Sequence, residues 1–210
     1  PNIEIEKLAK NSVLMPGLIN SHIHLEFSGN TTTLKYGNFY SWLNSVIKHR
    51  EDLISKANTK LILSKLSKMK RTGTTTIGAI SSYSFDLDAC VKSPLNKVFF
   101  CEVIGTKGDM IDTLFVDFKD RLNIANFIPA IAIHSPYSVH PFLVRETLKL
   151  AREENLPVTS HFLESREEFE WLHKDEGAFV EFFKNFLGQE QSVTKPMEFL
   201  NLFSNIKNLS

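Results

Sequence analysis

The chain has 210 residues, 42% of them hydrophobic, 11% aromatic and 23% charged, the make-up of an ordinary soluble globular protein with one sizeable core. Its 24 basic and 24 acidic residues balance without a sustained run of either sign, which argues against a nucleic-acid platform or a binder of anionic membranes. No stretch approaches ~18 consecutive apolar residues, so no membrane-spanning helix is expected, and the two cysteines, Cys90 and Cys101, fit a reducing cytoplasm better than a disulfide framework.

The first residues, Pro1-Asn-Ile-Glu-Ile-Glu-Lys, carry neither an initiator Met nor a signal-peptide pattern, so the chain is expected to be cut from something longer. Val13 to His22 reads as a buried strand entered through a Pro16-Gly17 turn. Phe39 to about Arg71 is mixed polar and apolar, and is expected to be helix in two pieces. The β-branched run Gly73 to Ile80 is a second strand and Lys97 to Ile104 a third, followed by a helix from Asp112 to Asn123. Phe127 to Ile133 is a fourth strand running into His134-Ser-Pro-Tyr. Helical spacing follows from Pro141 to Glu154, then a fifth strand from Leu156 to Ser160. Ser165 with Glu168 three residues later is a capping-box pattern, Ala178 to Leu187 is a helix closed by Gly188, and Pro196 opens a last helix to about Asn205.

Strands alternating with helices define a parallel α/β fold. A closed (β/α)8 barrel takes eight such units in ~250 residues, so five units are most of a barrel without its closing third. An open doubly wound sheet fits the same count.

Four segments could carry chemistry. His22 and His24 fall on one face at the end of the first strand, where two imidazoles can grip one cation; they could equally be two satisfied structural histidines. At the end of the fifth strand, His161 followed by Glu164 offers a metal ligand and a general base for water. The same spacing recurs at His173 and Glu176, but within a charged helix that reads as a solvated face. His134 ends the fourth strand; it could donate to a substrate hydroxyl, or simply stand beside a Ser-Pro turn. His140 and His49 read as structural or surface residues, and Trp42 and Phe39 as core.

Met15-Pro-Gly-Leu-Ile-Asn-Ser-His-Ile-His-Leu resembles the first-strand signature of the amidohydrolase superfamily. With Thr72-Gly-Thr-Thr-Thr, His134-Ser-Pro-Tyr and Ser160-His-Phe-Leu-Glu-Ser, the resemblance runs from about Val13 through Glu168 and points to its aminohydrolase branch. It implies a (β/α)8 TIM barrel of the metal-dependent hydrolase type, of which 16–210 would be the first five βα units, with 1–15 the end of a flanking β-sandwich or linker.

The resemblance also implies roles. His22, His24 and His161 match metal ligands, Glu164 the acid/base carboxylate, and His134 a ligand-contacting histidine. Trp42 and Glu51 fall where related nucleoside deaminases line base and ribose; nine residues on a straight helix are half a turn out of phase, so both face one ligand only if the helix bends or ends between them. The family's sixth-strand histidine and eighth-strand aspartate have no counterpart before Ser210, so the chain as it stands is expected to be inactive. The fourth strand lacks the lysine of binuclear members, which implies one metal, zinc or alternatively ferrous iron. The implied activity is hydrolytic deamination of a 6-aminopurine nucleoside in the cytoplasm, with no nucleic-acid or membrane partner and a homodimer left open. S-adenosylhomocysteine or methylthioadenosine deamination, guanine deaminase or chlorohydrolase chemistry, and a non-catalytic barrel remain alternatives.

Overall fold

The computed structural model describes residues 6–123, 127–207 and 209. Among them, β1 (Leu18–Ile23), β2 (Thr74–Ser81), β3 (Asn96–Val103), β4 (Ile128–Ile133) and β5 (Val158–Ser160) form one sheet in chain order. Every neighbouring pair is parallel. This order settles what the count of units left open. A doubly wound sheet reverses its strand order at a switch point; here the order never reverses, which is the progression of a barrel.

The connecting helices are α1 (Phe39–Lys56), α2 (Thr59–Arg71), α3 (Leu87–Lys92), α4 (Ile111–Asn123), α5 (Pro141–Glu153), α6 (Arg166–Lys174), α7 (Ala178–Leu187) and α8 (Pro196–Leu202). The long helical stretch after β1 divides as expected because Asn58 caps α2, its side chain accepting from the Leu61 N–H at 3.0 Å. Gly188 closes α7 in the left-handed conformation, at φ 67°. The short α3 was not expected from the sequence, and α8 stops at Leu202, three residues short of Asn205.

Strand alternation sorts side chains between two cores. Phe99, Cys101 and Val103 of β3 join the layer between sheet and helices, whereas Val98 and Phe100 pack with Ile80, Ala130 and Ala132 on the inner face. Glu102 belongs to the inner series by the same period. Gly78 is also inner, where β1 crosses close: a Cβ there would run into the Ser21 carbonyl oxygen. Gly78→Ala is therefore expected to destabilise the full-length protein by about 3 kcal/mol in urea unfolding; an unchanged midpoint would contradict this packing.

The expected buried first strand is instead an edge of the described sheet, with Leu18 and Ile19 at 50% and 71% exposure. On the opposite edge, Leu209 makes an isolated parallel bridge to Val158, where a sixth strand would run, although the sequence reading found no such strand before Ser210. Of the expected sandwich end or linker, residues 1–5 lie outside the described residues, and 6–17 hold no strand or helix. No helix among the described residues is long and apolar enough to cross a membrane.

Candidate metal centre and active site

His22, His24, His134 and His161 all emerge at the carboxyl ends of their strands. The Nε2 atom of His22 lies 3.2 Å from Nε2 of His24 and 3.1 Å from Nε2 of His161. An ion held tetrahedrally at about 2.0–2.1 Å from each nitrogen needs nitrogens roughly 3.3 Å apart, so the spacing fits.

Proton placement supports the same reading. The His161 Nδ1–H donates to the His134 carbonyl oxygen at 2.8 Å, and the His161 backbone N–H donates to that oxygen at 3.0 Å. This fixes the tautomer and leaves a lone pair on His161 Nε2. His22 Nε2 carries one hydrogen at most, so it cannot satisfy both neighbours; at least one pair of lone pairs faces across the gap, an arrangement that a cation relieves. Burial, then the neighbouring imidazoles, depresses the His24 pKa to about 4 and that of His22 below its usual value, keeping both rings neutral near pH 7.

A second cluster, Glu102 with His134 and His161, also gathers potential ligand atoms within 4.8 Å. It cannot hold an ion alongside the first. Both ring nitrogens of His161 are committed, and His134 Nδ1 is engaged by the Ser135 and Ser138 hydroxyls at 2.9 and 2.6 Å.

The corner carrying Glu164 is fixed at several points. Leu163 adopts φ 51°, an unfavourable conformation for a branched residue, turning the chain sharply after His161. The Glu164 backbone N–H donates to Glu168 Oε2 at 2.8 Å, while Ser165 Oγ accepts from the Glu168 N–H at 3.1 Å. Only half of the expected capping box forms, because the Glu168 carboxylate reaches Glu164 instead of closing on Ser165. The exposed Glu164 side chain accepts from the Tyr137 hydroxyl at 3.3 Å.

The sequence's remaining site expectations fare unevenly. The Trp42 ring lies 5.3 Å from that of Phe39, which packs on Phe179 at 6.1 Å, in an aromatic cluster that also takes in Tyr137. Glu51 is exposed on the same helix, α1, which runs from Phe39 to Lys56 without ending between the two residues. His173 is exposed on α6, as its solvated reading required, and His140 caps α5 by accepting from the Phe142 N–H at 3.2 Å.

Sequence reasoning missed three buried acids on the β2 and β3 side. Glu26 accepts from the backbone N–H groups of Ser82, Tyr83 and Phe85 at 2.9, 2.7 and 3.3 Å, tying the end of β1 to the loop after β2. Asp86 accepts from Ser81 Oγ at 2.7 Å, and burial, with Glu26 nearby, pushes its carboxyl up to about 7. Glu102, at 2% exposure, is likewise pushed up to about 7 by burial.

The raised Asp86 value has a measurable consequence. Between about pH 4 and pH 7 the native protein keeps a proton that the unfolded chain has released, so this group makes stability fall as pH rises. Asp86→Asn should remove that slope and gain about 2–3 kcal/mol on wild type between pH 4 and pH 8 in denaturant unfolding. His24 and His134, with pKa values depressed to about 4 and about 3, contribute the opposite slope to both proteins and cancel in the comparison. A gain independent of pH would contradict the assignment.

A barrel that brings three imidazoles to one point at the carboxyl ends of its strands is a metal-dependent hydrolase barrel. The chain belongs to the amidohydrolase family, whose pattern it matches over residues 13–196, and that family generally uses divalent metal ions. It is 46% identical over its whole length to the aminodeoxyfutalosine deaminase of a Nitratiruptor species, covering 53% of that protein. It is 34% identical to an adenosine deaminase of Helicobacter pylori, over 85% of this chain and 44% of that one. Among solved structures, H. pylori aminofutalosine deaminase in complex with methylthio-coformycin superimposes with a TM-score of 0.82 at 29% identity, over 90% of this chain and 48% of that one. The chain spans about half the length of the curated relatives it matches.

Proposed function

We propose that this chain supplies the metal-binding part of a hydrolytic deaminase of 6-aminopurine nucleosides, with 6-aminodeoxyfutalosine as substrate and zinc as metal. Under this reading the reaction belongs to the futalosine route to menaquinone. The observation that carries it is the convergence of His22, His24 and His161 through Nε2, with Glu164 three residues beyond the last of them. The names of the relatives support the substrate. A methylthioadenosine-type substrate is the second reading, favoured by the methylthio-coformycin bound to the H. pylori protein.

A divalent ion held by the three imidazoles would supply Lewis acidity, bringing the pKa of water towards ~7. Glu164 takes the proton from the attacking water and delivers it to the purine ring, so that the carbon bearing the amine accepts the nucleophile. It then takes the hydroxyl proton of the tetrahedral centre and passes it to the amine, so that the carbon–nitrogen bond breaks, a carbonyl forms and ammonia leaves. Tyr137 holds the Glu164 carboxylate by donating to Oε1. His134 is tied through Nδ1 to two serine hydroxyls and stands 5.3 Å, ring to ring, from His161, where it can orient the purine.

Incubating the metal-loaded full-length protein with 6-aminodeoxyfutalosine, methylthioadenosine, adenosine and guanine, and following ammonia release, tests the reading. Highest kcat/KM on 6-aminodeoxyfutalosine is expected. Preference for guanine, or release from none of them, would overturn it.

A further inference from the structure

Glu164 lies three residues beyond His161, and two anchors set how the chain passes from one to the other. On the near side, the His161 backbone N–H and Nδ1–H both donate to the His134 carbonyl oxygen, at 3.0 and 2.8 Å. On the far side, the Glu164 N–H donates to Glu168 Oε2 at 2.8 Å. Between the anchors Leu163 sits at φ 51°, a left-handed conformation that side chains disfavour and that persists only where its surroundings enforce it.

Helix capping does not account for Glu168. A glutamate at the third position of a helix usually closes back on the N-cap N–H from the solvent side. Here Ser165 Oγ caps α6 by accepting from the Glu168 N–H at 3.1 Å, and the Glu168 carboxylate turns away from Ser165. Glu168 is nevertheless 0% exposed. Burial is costly for a carboxylate and pushes this one up to about 7. The side-chain bond set against that cost runs to the Glu164 N–H. The Glu164 carboxylate has little hold of its own: it is exposed, and the Tyr137 hydroxyl reaches it at 3.3 Å. Its aim therefore depends on its backbone.

We propose that Glu168 is a positioning residue for the deamination: by holding the Glu164 N–H, it keeps Leu163 in the left-handed turn and the Glu164 carboxylate in its place relative to the three imidazoles. The proposal rests on the deaminase reading above, in which Glu164 moves the protons. Without this anchor Leu163 relaxes and Glu164 swings out of place, while His161, tied to His134, stays where it is.

The test uses the metal-loaded full-length protein. Glu168→Met fills the same buried space without an acceptor, and Glu168→Gln keeps an acceptor oxygen in the shape of the protonated acid. kcat and KM are measured on 6-aminodeoxyfutalosine, methylthioadenosine and adenosine, metal by elemental analysis, and Kd by calorimetry with 1-deazaadenosine, which lacks the ring nitrogen that takes the proton. Glu168→Met should lower kcat about a hundred-fold, the scale of a group misplaced by about an ångström, with KM and Kd within about three-fold. Its metal content should stay that of wild type. Glu168→Gln should hold kcat within about five-fold of wild type. Added to Glu164→Gln, Glu168→Met should cost less than about two-fold more, because a residue that acts through Glu164 then has nothing left to act on. Should Glu168→Met fail to fold, Glu168→Asp, whose carboxylate is withdrawn by one methylene from the Glu164 N–H, should show the same selective loss. An unchanged kcat, a loss shared by KM, Kd and metal, Glu168→Gln as slow as Glu168→Met, or full additivity with Glu164→Gln overturns this proposal alone. Wild-type protein that releases ammonia from none of the three compounds overturns the deaminase reading and this proposal with it.

Discussion

Glu164→Gln in the full-length protein is expected to keep its metal and lose turnover by about a thousand-fold. The isosteric amide retains an oxygen for the Tyr137 hydroxyl but can no longer accept a proton at neutral pH. The corner that carries it should be undisturbed: the left-handed turn at Leu163, the Glu164 N–H bond to Glu168 and the Ser165 cap all involve backbone or other side chains. The loss should therefore appear in kcat, with KM and metal content near wild type. Activity within about ten-fold of wild type would remove Glu164 from the role of base.

His161→Ala should abolish both metal binding and activity, because this ring does two jobs. Its Nε2 completes the trio, and its Nδ1–H and backbone N–H share the His134 carbonyl that joins the ends of β4 and β5. Elemental analysis after dialysis should fall well below one equivalent, since the site loses the imidazole that bridges its two strand ends. His173→Ala is the matched control. It alters the same His-x-x-Glu spacing on exposed α6 and should leave metal and turnover unchanged. A full equivalent retained by His161→Ala would show that the ion lies elsewhere.

The convergence of His22, His24 and His161 was legible in the sequence because strand alternation is a short-range rule. His22 and His24 share a face by period alone, and the end of an apolar run places His161 on the same rim. Of the three acids, one offered the same short-range signal and two did not. Glu102 sits in Lys97-Val-Phe-Phe-Cys-Glu-Val, where a lone carboxylate in an apolar strand was the available signal, and its alternation with Phe100 and Val98 assigns it inward. Glu26 and Asp86 gave less to work with, since their burial depends on a loop some 55 residues downstream of Glu26 that wraps its carboxylate. The roles of Trp42 and Glu51 rest on the resemblance alone: helical phase sets them on different sides of α1, and no helix end falls between them.

The barrel itself needed the strand order. Counting units from sequence could not separate it from an open sheet; five parallel strands in unbroken succession do.

The most direct measurement is an anomalous-scattering map from crystals of the full-length protein grown with zinc, recorded at the zinc edge. One peak is expected about 2.0–2.1 Å from Nε2 of each of His22, His24 and His161. A peak bound elsewhere, or no peak with the three rings turned apart, would contradict the account.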